Sequence, residues 1–118
     1  MKFTESLKKN HEFKKVYRHG SSVANRLLVM YILKNNTDKN KLGLSVSKKV
    51  GKSVVRSRVT RLIKESYRLM EPLVMPGYDI IFIARINTAA SSFSEINGAL
   101  RHLLKKQGVL RLGNNKEN

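Results

Sequence analysis

Basic side chains between Lys48 and Arg68 are the residues of this chain most suited to chemistry, and that chemistry is the binding of anions. Eight cations stand in this stretch with a single acid, Glu65, for a net charge of +7. The cations are Lys48, Lys49, Lys52, Arg56, Arg58, Arg61, Lys64 and Arg68. Like charges at such a density repel one another unless an anionic partner lies against them. A solvated basic face is the simpler interpretation of a charge run, but this density favours a binding surface.

The same stretch has the periodicity of a helix that exposes its cations. We take Ser53 as the N-cap and rotate each residue by ~100°. One face then collects Val55, Val59, Leu62, Ser66, Leu69 and Met70, with Ile63 at its edge. The opposite face collects Arg61, Lys64 and Arg68, with Arg58 beside them near Glu65 and Arg56 on the other shoulder. We therefore expect one face to pack inward while a basic ridge stays in solvent.

The start of this helix departs from a common rule. Helix N-termini carry partial positive charge and favour Asp or Glu in the first turn, yet only cations stand here, at Lys52, Arg56 and Arg58. The chain follows the rule elsewhere, because Ser92 and Glu95 have the spacing of a capping box. We therefore expect the basic helix to keep its positive end open for an anion such as phosphate.

No catalytic constellation accompanies these cations. The carboxylates are scattered, and no pair has the spacing of a two-metal nuclease centre. They are Glu5, Glu12, Asp38, Glu65, Glu71, Asp79, Glu95 and Glu117. His11, His19 and His102 form no metal-binding pattern, and the chain has no cysteine. We expect no catalytic residue and no metal site in the protein itself.

Composition limits the class of protein. The chain has 118 residues, which suits one compact domain, and its 24 basic and 8 acidic residues give a net charge of +16. Nucleic acid is the first partner that this charge predicts, and an anionic membrane surface is the second. The segment MKFTESLKKN lacks the apolar core of a signal peptide, and the longest apolar run, residues 27–33, is too short to span a bilayer. We therefore expect a cytoplasmic protein.

The rest of the chain predicts the elements that position the basic helix. A loose basic arm is expected over residues 1–9, followed by a short helix capped by Asn10 and ending near Gly20. Strands are predicted over residues 23–33 and 42–47, with a turn over 35–40 between them. A third strand over residues 78–85 is apolar on both faces, which suits the interior of a sheet. The last helix runs from about Phe93 to Gln107 with an apolar stripe.

This order of elements predicts an α+β fold, a mixed α/β sandwich in one domain over residues 1–111, which the charge predicts to bind nucleic acid. The basic helix would link the second and third strands as a parallel crossover. Such crossovers are right-handed in most proteins. Residues 112–118 are polar and expected to form a frayed tail.

Two features of this arrangement admit alternative interpretations. Phe13 and Tyr17 on the first helix could be ordinary core or a stacking surface for bases. Small Gly43, Ser45 and Ser47 would form a low floor on one face of the second strand. If Val29 and Tyr31 share that face, the floor becomes a shallow groove for an RNA backbone. The residues alone favour ordinary core in the first case and a solvent-facing sheet in the second.

Several segments resemble the bacterial ribonuclease P protein family. GLSVSKKVG followed by VVRSRVTRLIKE is similar to its signature, and FKKVYRHGSSVANR to its N-terminal helix and first strand. The similarity extends through YDIIFIAR. The chain has Lys52 and Ser57 where the family usually has Asn, Thr60 where a basic residue is common, and Lys64 where Arg is usual. The resemblance implies a left-handed crossover and one further short strand in the middle of the chain.

By this resemblance the chain is expected to be the protein subunit of ribonuclease P, an endoribonuclease whose RNA subunit cuts precursor tRNA at the mature five-prime end. Mg²⁺ would be held mainly by the RNA subunit and the substrate, and no membrane or protein partner is implied. The residues implied to bind the RNA subunit are Arg56, Ser57, Arg58 and Arg61, supported by Lys48, Lys49 and Lys52. Those implied to bind the single-stranded leader of precursor tRNA are Phe13, Tyr17, Val29, Tyr31, Ser45, Thr60 and Lys64.

Two other functions fit the same charge. A small ribosomal or ribosome-assembly protein is the main alternative, because it too would bind RNA without catalysis. Binding to anionic membranes is a third interpretation, but the chain lacks the long amphipathic helix that this function needs.

Overall fold

A five-stranded mixed sheet lies at the centre of the fold. The structure, a computed structural model, describes residues 3–111. The strands are β1 (Thr4–Ser6), β2 (Ser21–Ala24), β3 (Leu28–Lys34), β4 (Asn40–Ser45) and β5 (Tyr78–Ala84), in the order β1-β4-β5-β3-β2 across the sheet. The helices are α1 (Asn10–His19), α2 (Ser53–Met70) and α3 (Phe93–Lys106), and short 3₁₀ helices span Glu71–Leu73 and Ile86–Ala90. The expected α+β fold is confirmed.

Strand alternation divides the side chains between the two faces of the sheet. On one face, α2 and α3 pack over a large core that includes Met30 and Phe82. On the opposite face, α1 packs through Val16 against Leu7 and Ile81. The basic helix and the aromatic helix therefore lie on opposite sides of the sheet.

The strand β5 is the interior strand that its apolar sequence predicted. It pairs in parallel with β4 on one side and antiparallel with β3 on the other. Ile80, Ile81 and Phe82 are fully buried, because helices cover both faces of the sheet around them. The parallel crossover from β4 through α2 to β5 is confirmed, and its left hand stays a prediction.

The loose arm expected over residues 1–9 is wrong for the part that the structure describes, because Thr4–Ser6 forms β1. This strand pairs in parallel with the first half of β4, where Thr4 lies opposite Asn40. The Thr4 hydroxyl lies 3.0 Å from the hydroxyl of the buried Tyr67 on α2, and Leu7 after the strand is buried. The sequence Thr-Glu-Ser has no strand periodicity, so this strand depends on the partner that β4 offers.

The single strand predicted over residues 23–33 is in fact two antiparallel strands, β2 and β3. Asn25 makes the turn between them, because its Oδ1 accepts hydrogen bonds from the backbone N–H groups of Leu27 and Leu28. Local bonds from an asparagine side chain compete in this way with continued sheet pairing. The split supplies the further short strand that the resemblance implied.

The second predicted strand, β4, begins and ends two residues earlier than residues 42–47. Asn40 was expected in the turn but opens the strand and is buried. Its Nδ2 donates to the Met75 carbonyl at 3.1 Å, and its Oδ1 accepts from the Tyr78 N–H at 2.9 Å. These bonds satisfy the buried amide and hold the start of β4 beside the start of β5.

The helix α2 confirms the predicted amphipathic helix with two corrections. Its N-cap is Lys52 instead of Ser53, and no side chain caps it. Tyr67 is fully buried, whereas Leu69, which the periodicity assigns to the inner face, is 49% exposed. The face that meets the sheet is therefore centred near Ile63, which is fully buried and does not stand at the edge of that face.

The other two helices begin beside an acid. The predicted capping box of α3 is present, since the Ser92 hydroxyl accepts from the Glu95 N–H and Glu95 Oε1 accepts from the Ser92 N–H. Asn10 is not the cap of α1, because Lys9 occupies the N-cap position and Glu12 Oε1 accepts from the Lys9 N–H at 3.1 Å. The carboxylate of Glu12 therefore does the capping that the sequence assigned to Asn10.

No helix between residues 3 and 111 combines the length and the apolar character needed to cross a membrane. The frayed tail predicted over residues 112–118 lies outside the described residues.

Candidate nucleic-acid interface

The start of α2 has the open positive end that its sequence predicted. Its first turn contains no acid, and its N-cap Lys52 supplies no side-chain oxygen. In α1 and α3, by contrast, Glu12 and Glu95 stand in the first turn and accept backbone hydrogen bonds there. Unpaired N–H groups and the helix dipole favour an anion at such an end.

Two arginines are anchored on the flanks of this helix start. Arg56 donates from Nε to the Gly51 carbonyl at 3.1 Å, and Arg58 donates from Nη2 to the Ser91 carbonyl at 2.8 Å. Each guanidinium has five N–H donors, so both keep donors for a ligand. The backbone bonds reduce the freedom of both side chains before any ligand arrives, which lowers the entropy lost on binding.

The single acid of the basic stretch, Glu65, pairs with Arg68. The Glu65 oxygens accept from Arg68 Nη2 at 2.6 Å and from Arg68 Nε at 2.9 Å. This bidentate pair lowers the pKa of Glu65 below its ordinary value. The only acid of the basic stretch is thus occupied at the far end of α2 and leaves the charge at the helix start unopposed.

A groove of about 680 Å³ runs between α2 and β4. It exists because β1 covers only the first half of β4, and beyond Leu42 no strand of the described chain pairs on that side. Its lining residues are Leu44, Val46, Ser53, Arg56, Ser57, Thr60, Arg61 and Lys64. Apolar Leu44 and Val46 belong to this groove although the sequence predicted no binding role for them.

The groove brings together residues from both predicted binding sets. Arg56, Ser57 and Arg61 come from the set expected to bind the RNA subunit, and Thr60 and Lys64 come from the set expected to bind the leader. The remaining cations of the first set stand nearby in the chain. Lys48 and Lys49 are exposed in the turn after β4, and Lys52 is exposed at the start of α2.

The other predicted leader-binding residues lie on the opposite face of the sheet, beside α1. The rings of Tyr17 and Tyr31 meet edge to face with centroids 5.0 Å apart, and those of Phe13 and Tyr17 lie 6.3 Å apart. Val29 and Tyr31 share this face with Gly43 and Ser45, as the registers of β3 and β4 with β5 require. We call the surface formed by Tyr17, Tyr31, Val29, Ser45 and Ile83 the aromatic cleft.

The predicted low floor is only half open. A Cβ atom on Gly43 would lie 2.7 Å from Phe13 Cζ, so the Phe13 ring covers that position. The next row along the strands, in which Val29, Ile83 and Ser45 lie side by side, stays partly exposed. Ile83 is absent from the predicted site, although the alternation of β5 was the signal that could have revealed it.

Tyr17 marks the boundary between the covered row and the open row. The residue is 38% exposed, and its hydroxyl has Ser45 as a polar neighbour. Partial burial, and then the neighbouring Tyr31, raise the pKa of the Tyr17 hydroxyl above its ordinary value. The phenol therefore stays protonated at neutral pH and can donate a hydrogen bond.

The predicted leader set is therefore split between two surfaces. Thr60 and Lys64 line the α2 groove, whereas Phe13, Tyr17, Val29, Tyr31 and Ser45 belong to the α1 face. The second half of β4 separates the two surfaces. A single strand could contact both sets only by passing over this free edge.

The acidic and histidine side chains of the described residues are scattered over the structure. Within residues 3–111, no cluster of three or more His, Asp or Glu side chains could hold a metal ion. The arrangement fits the binding and positioning of phosphates and bases.

Known proteins are similar to this chain in both sequence and fold. The family model described as Ribonuclease P matches residues 1–108. The ribonuclease P protein component of Clostridioides difficile (strain 630) is 50% identical over 107 residues, covering 90% of this chain and 94% of that protein. The corresponding component of Clostridium botulinum (strain Langeland / NCTC 10281 / Type F) is 56% identical over 104 residues, covering 87% and 94%.

Solved structures agree with these sequence relatives. The Staphylococcus aureus RNase P protein structure at 2.0 Å superposes with a TM-score of 0.83 and 37% identity, covering 90% of this chain and 97% of that one. The RNase P protein from Thermotoga maritima gives a TM-score of 0.80 at 28% identity, covering 86% and 96%.

Proposed function

The chain belongs to the ribonuclease P protein family, and we propose that it works in the cytoplasm as the protein subunit of this endoribonuclease. In this proposal the RNA subunit cuts precursor tRNA to form the mature five-prime end, and the protein binds both RNAs. One observation carries the proposal: α2 begins without an acid or a side-chain cap, between two anchored arginines and beside a cationic groove. The relatives named above favour this function over a ribosomal one.

The groove and the helix start act by binding phosphates of the RNA subunit. Arg56 and Arg58 offer their free guanidinium donors on either side of the open helix end, and Arg61 continues the charge along α2. Neutralised phosphates release counterions, which supplies much of the affinity and makes it dependent on salt. Phosphate repulsion between two RNA molecules also falls, so they assemble at lower concentrations of Mg²⁺.

The aromatic cleft acts by holding the single-stranded leader. Tyr17 and Tyr31 offer ring surfaces to bases, and the open row of Val29, Ile83 and Ser45 lets a backbone approach the sheet. Mature tRNA lacks the leader, so contacts in the cleft favour the precursor over the product. Binding of the leader also positions the scissile bond against the RNA active site.

Mg²⁺ belongs to the RNA subunit and the substrate in this proposal. The described side chains do not fit a protein-held ion, because they contain no cluster of carboxylates or histidines that could hold one. No step of the proposed mechanism therefore passes through a metal bound to this protein.

Cleavage of precursor tRNA at limiting Mg²⁺ tests the proposal. We expect no cleavage by the protein alone, slow cleavage by the RNA subunit alone, and a marked increase when the two are combined. Cleavage by protein freed of RNA, or no effect of the protein on the RNA subunit, would overturn the proposal. Sequencing of RNA that copurifies with the protein adds a second readout, because a ribosomal role predicts ribosomal RNA.

A further inference from the structure

A second cationic surface lies on the outer side of α1, away from the sheet. Three cations, Lys14, Lys15 and Arg18, are exposed there, and His11 and His19 flank them around a shallow depression of about 240 Å³. We call Lys14, Lys15 and Arg18 the α1 cations. They lie on the opposite side of the sheet from α2, so the phosphates that α2 binds do not account for them.

The α1 cations are not neutralised within the described part of the protein. None of the three makes an ion pair or a side-chain hydrogen bond with any residue between 3 and 111. The only acid on α1, Glu12, is occupied by Lys41 Nζ at 2.8 Å and by the Lys9 N–H at 3.1 Å. Unpaired like charges on one helix repel one another, which favours an anionic partner at this surface.

The α1 cations adjoin the aromatic cleft. Tyr17 stands three residues after Lys14 and one before Arg18, so both cations lie on the flank of α1 next to Tyr17. The opposite flank, at Val16, is buried against the sheet. A nucleic-acid strand that stacks on Tyr17 and leaves the cleft on its exposed side therefore meets Lys14 and Arg18 next.

We propose that the α1 cations extend the leader-binding site: the leader nucleotides upstream of those in the aromatic cleft lay their phosphates along Lys14 and Arg18. The inference rests on the proposed function. Two observations favour the leader over the RNA subunit as the occupant. The surface is continuous with the cleft, and α2, which binds the RNA subunit in our proposal, faces the other way.

The variant Lys14→Gln/Arg18→Gln tests this extension, and the chain offers a matched control. Arg101 and Lys105 on α3 are also an arginine and a lysine four residues apart, exposed and without ion pairs in the described residues. The control variant Arg101→Gln/Lys105→Gln therefore removes the same charge from a different helix. Circular dichroism and thermal unfolding would establish that both variants keep the fold.

Binding by the reconstituted holoenzyme would be measured for mature tRNA and for two precursors, with leaders of about 4 and about 12 nucleotides, both within the range of common single-strand site sizes. We expect the α1 variant to lose about 2- to 30-fold in affinity for the long leader, the range of two exposed ion pairs. Its salt slope for that substrate should be shallower by about 1.4. Affinity for the short leader, for mature tRNA and for the RNA subunit should not change.

Each other outcome contradicts the inference in a distinct way. An equal loss for all three substrates places the contact on the tRNA body, and weaker holoenzyme assembly places it on the RNA subunit. No difference from the control variant means that the α1 cations are solvated. If the wild-type holoenzyme itself shows no preference for precursor over mature tRNA, the proposed function fails instead.

Discussion

Tyr17 shows how one side chain can belong to the core and to a binding surface at once. Its ring contacts Tyr31 and Phe13, its hydroxyl has Ser45 as a polar neighbour, and more than a third of the residue is exposed. Val16, its neighbour in the chain, is fully buried. Of the two aromatic residues on α1, Phe13 packs against the core and covers Gly43, whereas Tyr17 stands at the rim.

The first prediction concerns Tyr17→Leu and Tyr31→Leu. Leucine keeps apolar bulk but removes the ring face and the hydroxyl, and loss of a stacked base typically costs about 1–3 kcal/mol. We expect the affinity for precursor tRNA to fall about 5- to 150-fold, which is that energy converted to affinity, while holoenzyme assembly survives. Titration of each holoenzyme with precursor and mature tRNA measures the change. An unchanged preference for the precursor would show that these rings are ordinary packing residues.

A second prediction at this scale concerns Glu12. Hydrogen bonding to Lys41, and then to the Lys9 backbone, lowers the pKa of Glu12 from its ordinary value of 4.5 to about 2. A carboxylate with a depressed pKa stabilises the fold above its unfolded pKa, and the contribution is lost as the pH falls through the folded pKa. We expect Glu12→Gln to have a lower free energy of unfolding than wild type at neutral pH. This difference in free energy should disappear as the pH falls from 4.5 to about 2.

Urea denaturation at a series of pH values measures this gap for the two proteins. The ordinary salt bridge of Arg68 with Glu65 provides a comparison, because Glu65→Gln alters an exposed pair that does not cap a helix. A gap between Glu12→Gln and wild type that is independent of pH would mean that the charge of Glu12 does not stabilise α1.

At the scale of elements, α1 depends on the sheet for its position. A helix of ten residues is marginal alone in water, so its docking decides whether the aromatic cleft exists. The contact is close at one point, where the Phe13 ring lies directly over Gly43 of β4. The backbone of Gly43 has an ordinary conformation that any residue could adopt. Glycine is required there because a side chain would occupy the space that the Phe13 ring fills.

The third prediction follows from this contact. The added methyl group in Gly43→Ala would overlap Phe13 and also meet Leu7, and overpacking of this kind costs about 1–3 kcal/mol. We expect a lower free energy of unfolding and a weaker preference for precursor tRNA, because α1 must move away from β4. Chemical denaturation and the tRNA titration measure the two effects.

Gly98 is the matched control for this substitution. It lies in the middle of α3, with no neighbouring atom within 4 Å of an added Cβ. Alanine is a better helix former there, so Gly98→Ala should raise the free energy of unfolding by about 0.5–1 kcal/mol. A lower free energy of unfolding for Gly98→Ala, or an unchanged one for Gly43→Ala, would contradict the conclusion that a side chain is excluded at Gly43 and tolerated at Gly98.

At the scale of the whole molecule, the residues from 3 to 111 carry cationic surfaces on two opposite sides of the sheet. The sheet separates the α2 groove and helix start from the aromatic cleft and the α1 cations. A molecule with extents of 39 × 36 × 24 Å is thin enough to lie between two RNA segments. We propose that its two faces divide the work, with α2 on the RNA subunit and α1 on the leader.

The fourth prediction tests this division through Arg56→Ala/Arg58→Ala. Removal of two cations that each neutralise a phosphate should weaken binding to the RNA subunit and make the salt slope shallower by about 1.4–1.8. Each arginine also donates to one backbone carbonyl, so the free energy of unfolding should fall by about 0.5–1.5 kcal/mol per bond. The preference of assembled holoenzyme for precursor over mature tRNA should persist.

The comparison is with Arg101→Ala/Lys105→Ala, which also removes two charges but lies on α3. Filter binding of the RNA subunit across a range of salt concentrations supplies both slopes. Wild-type affinity in the Arg56/Arg58 variant, or equal losses in both variants, would remove the specific role of the α2 start. Complete unfolding of the variant would show that the arginines are structural.

Much of the fold could be predicted from the sequence because its signals are local. The amphipathic period of α2, the capping box of α3 and the apolar run of β5 each depend on a few successive residues, and each is confirmed. The open positive end of α2 was predictable for the same reason, since it follows from which residues stand in one turn. The resemblance to the ribonuclease P protein family was also readable from contiguous motifs.

Tertiary structure alone decided the features that depend on pairing between distant segments. The strand β1 exists because β4 offers it an edge, and Tyr67 rather than Leu69 is buried because the sheet meets α2 on that side. The site followed the same rule. Whether Gly43 lay open or beneath Phe13, and whether Thr60 shared a surface with Tyr17, depended on which face of the sheet each helix occupies. Residue spacing records the period of a helix or a strand, but strand order and layer assignment arise from contacts between residues far apart in the chain.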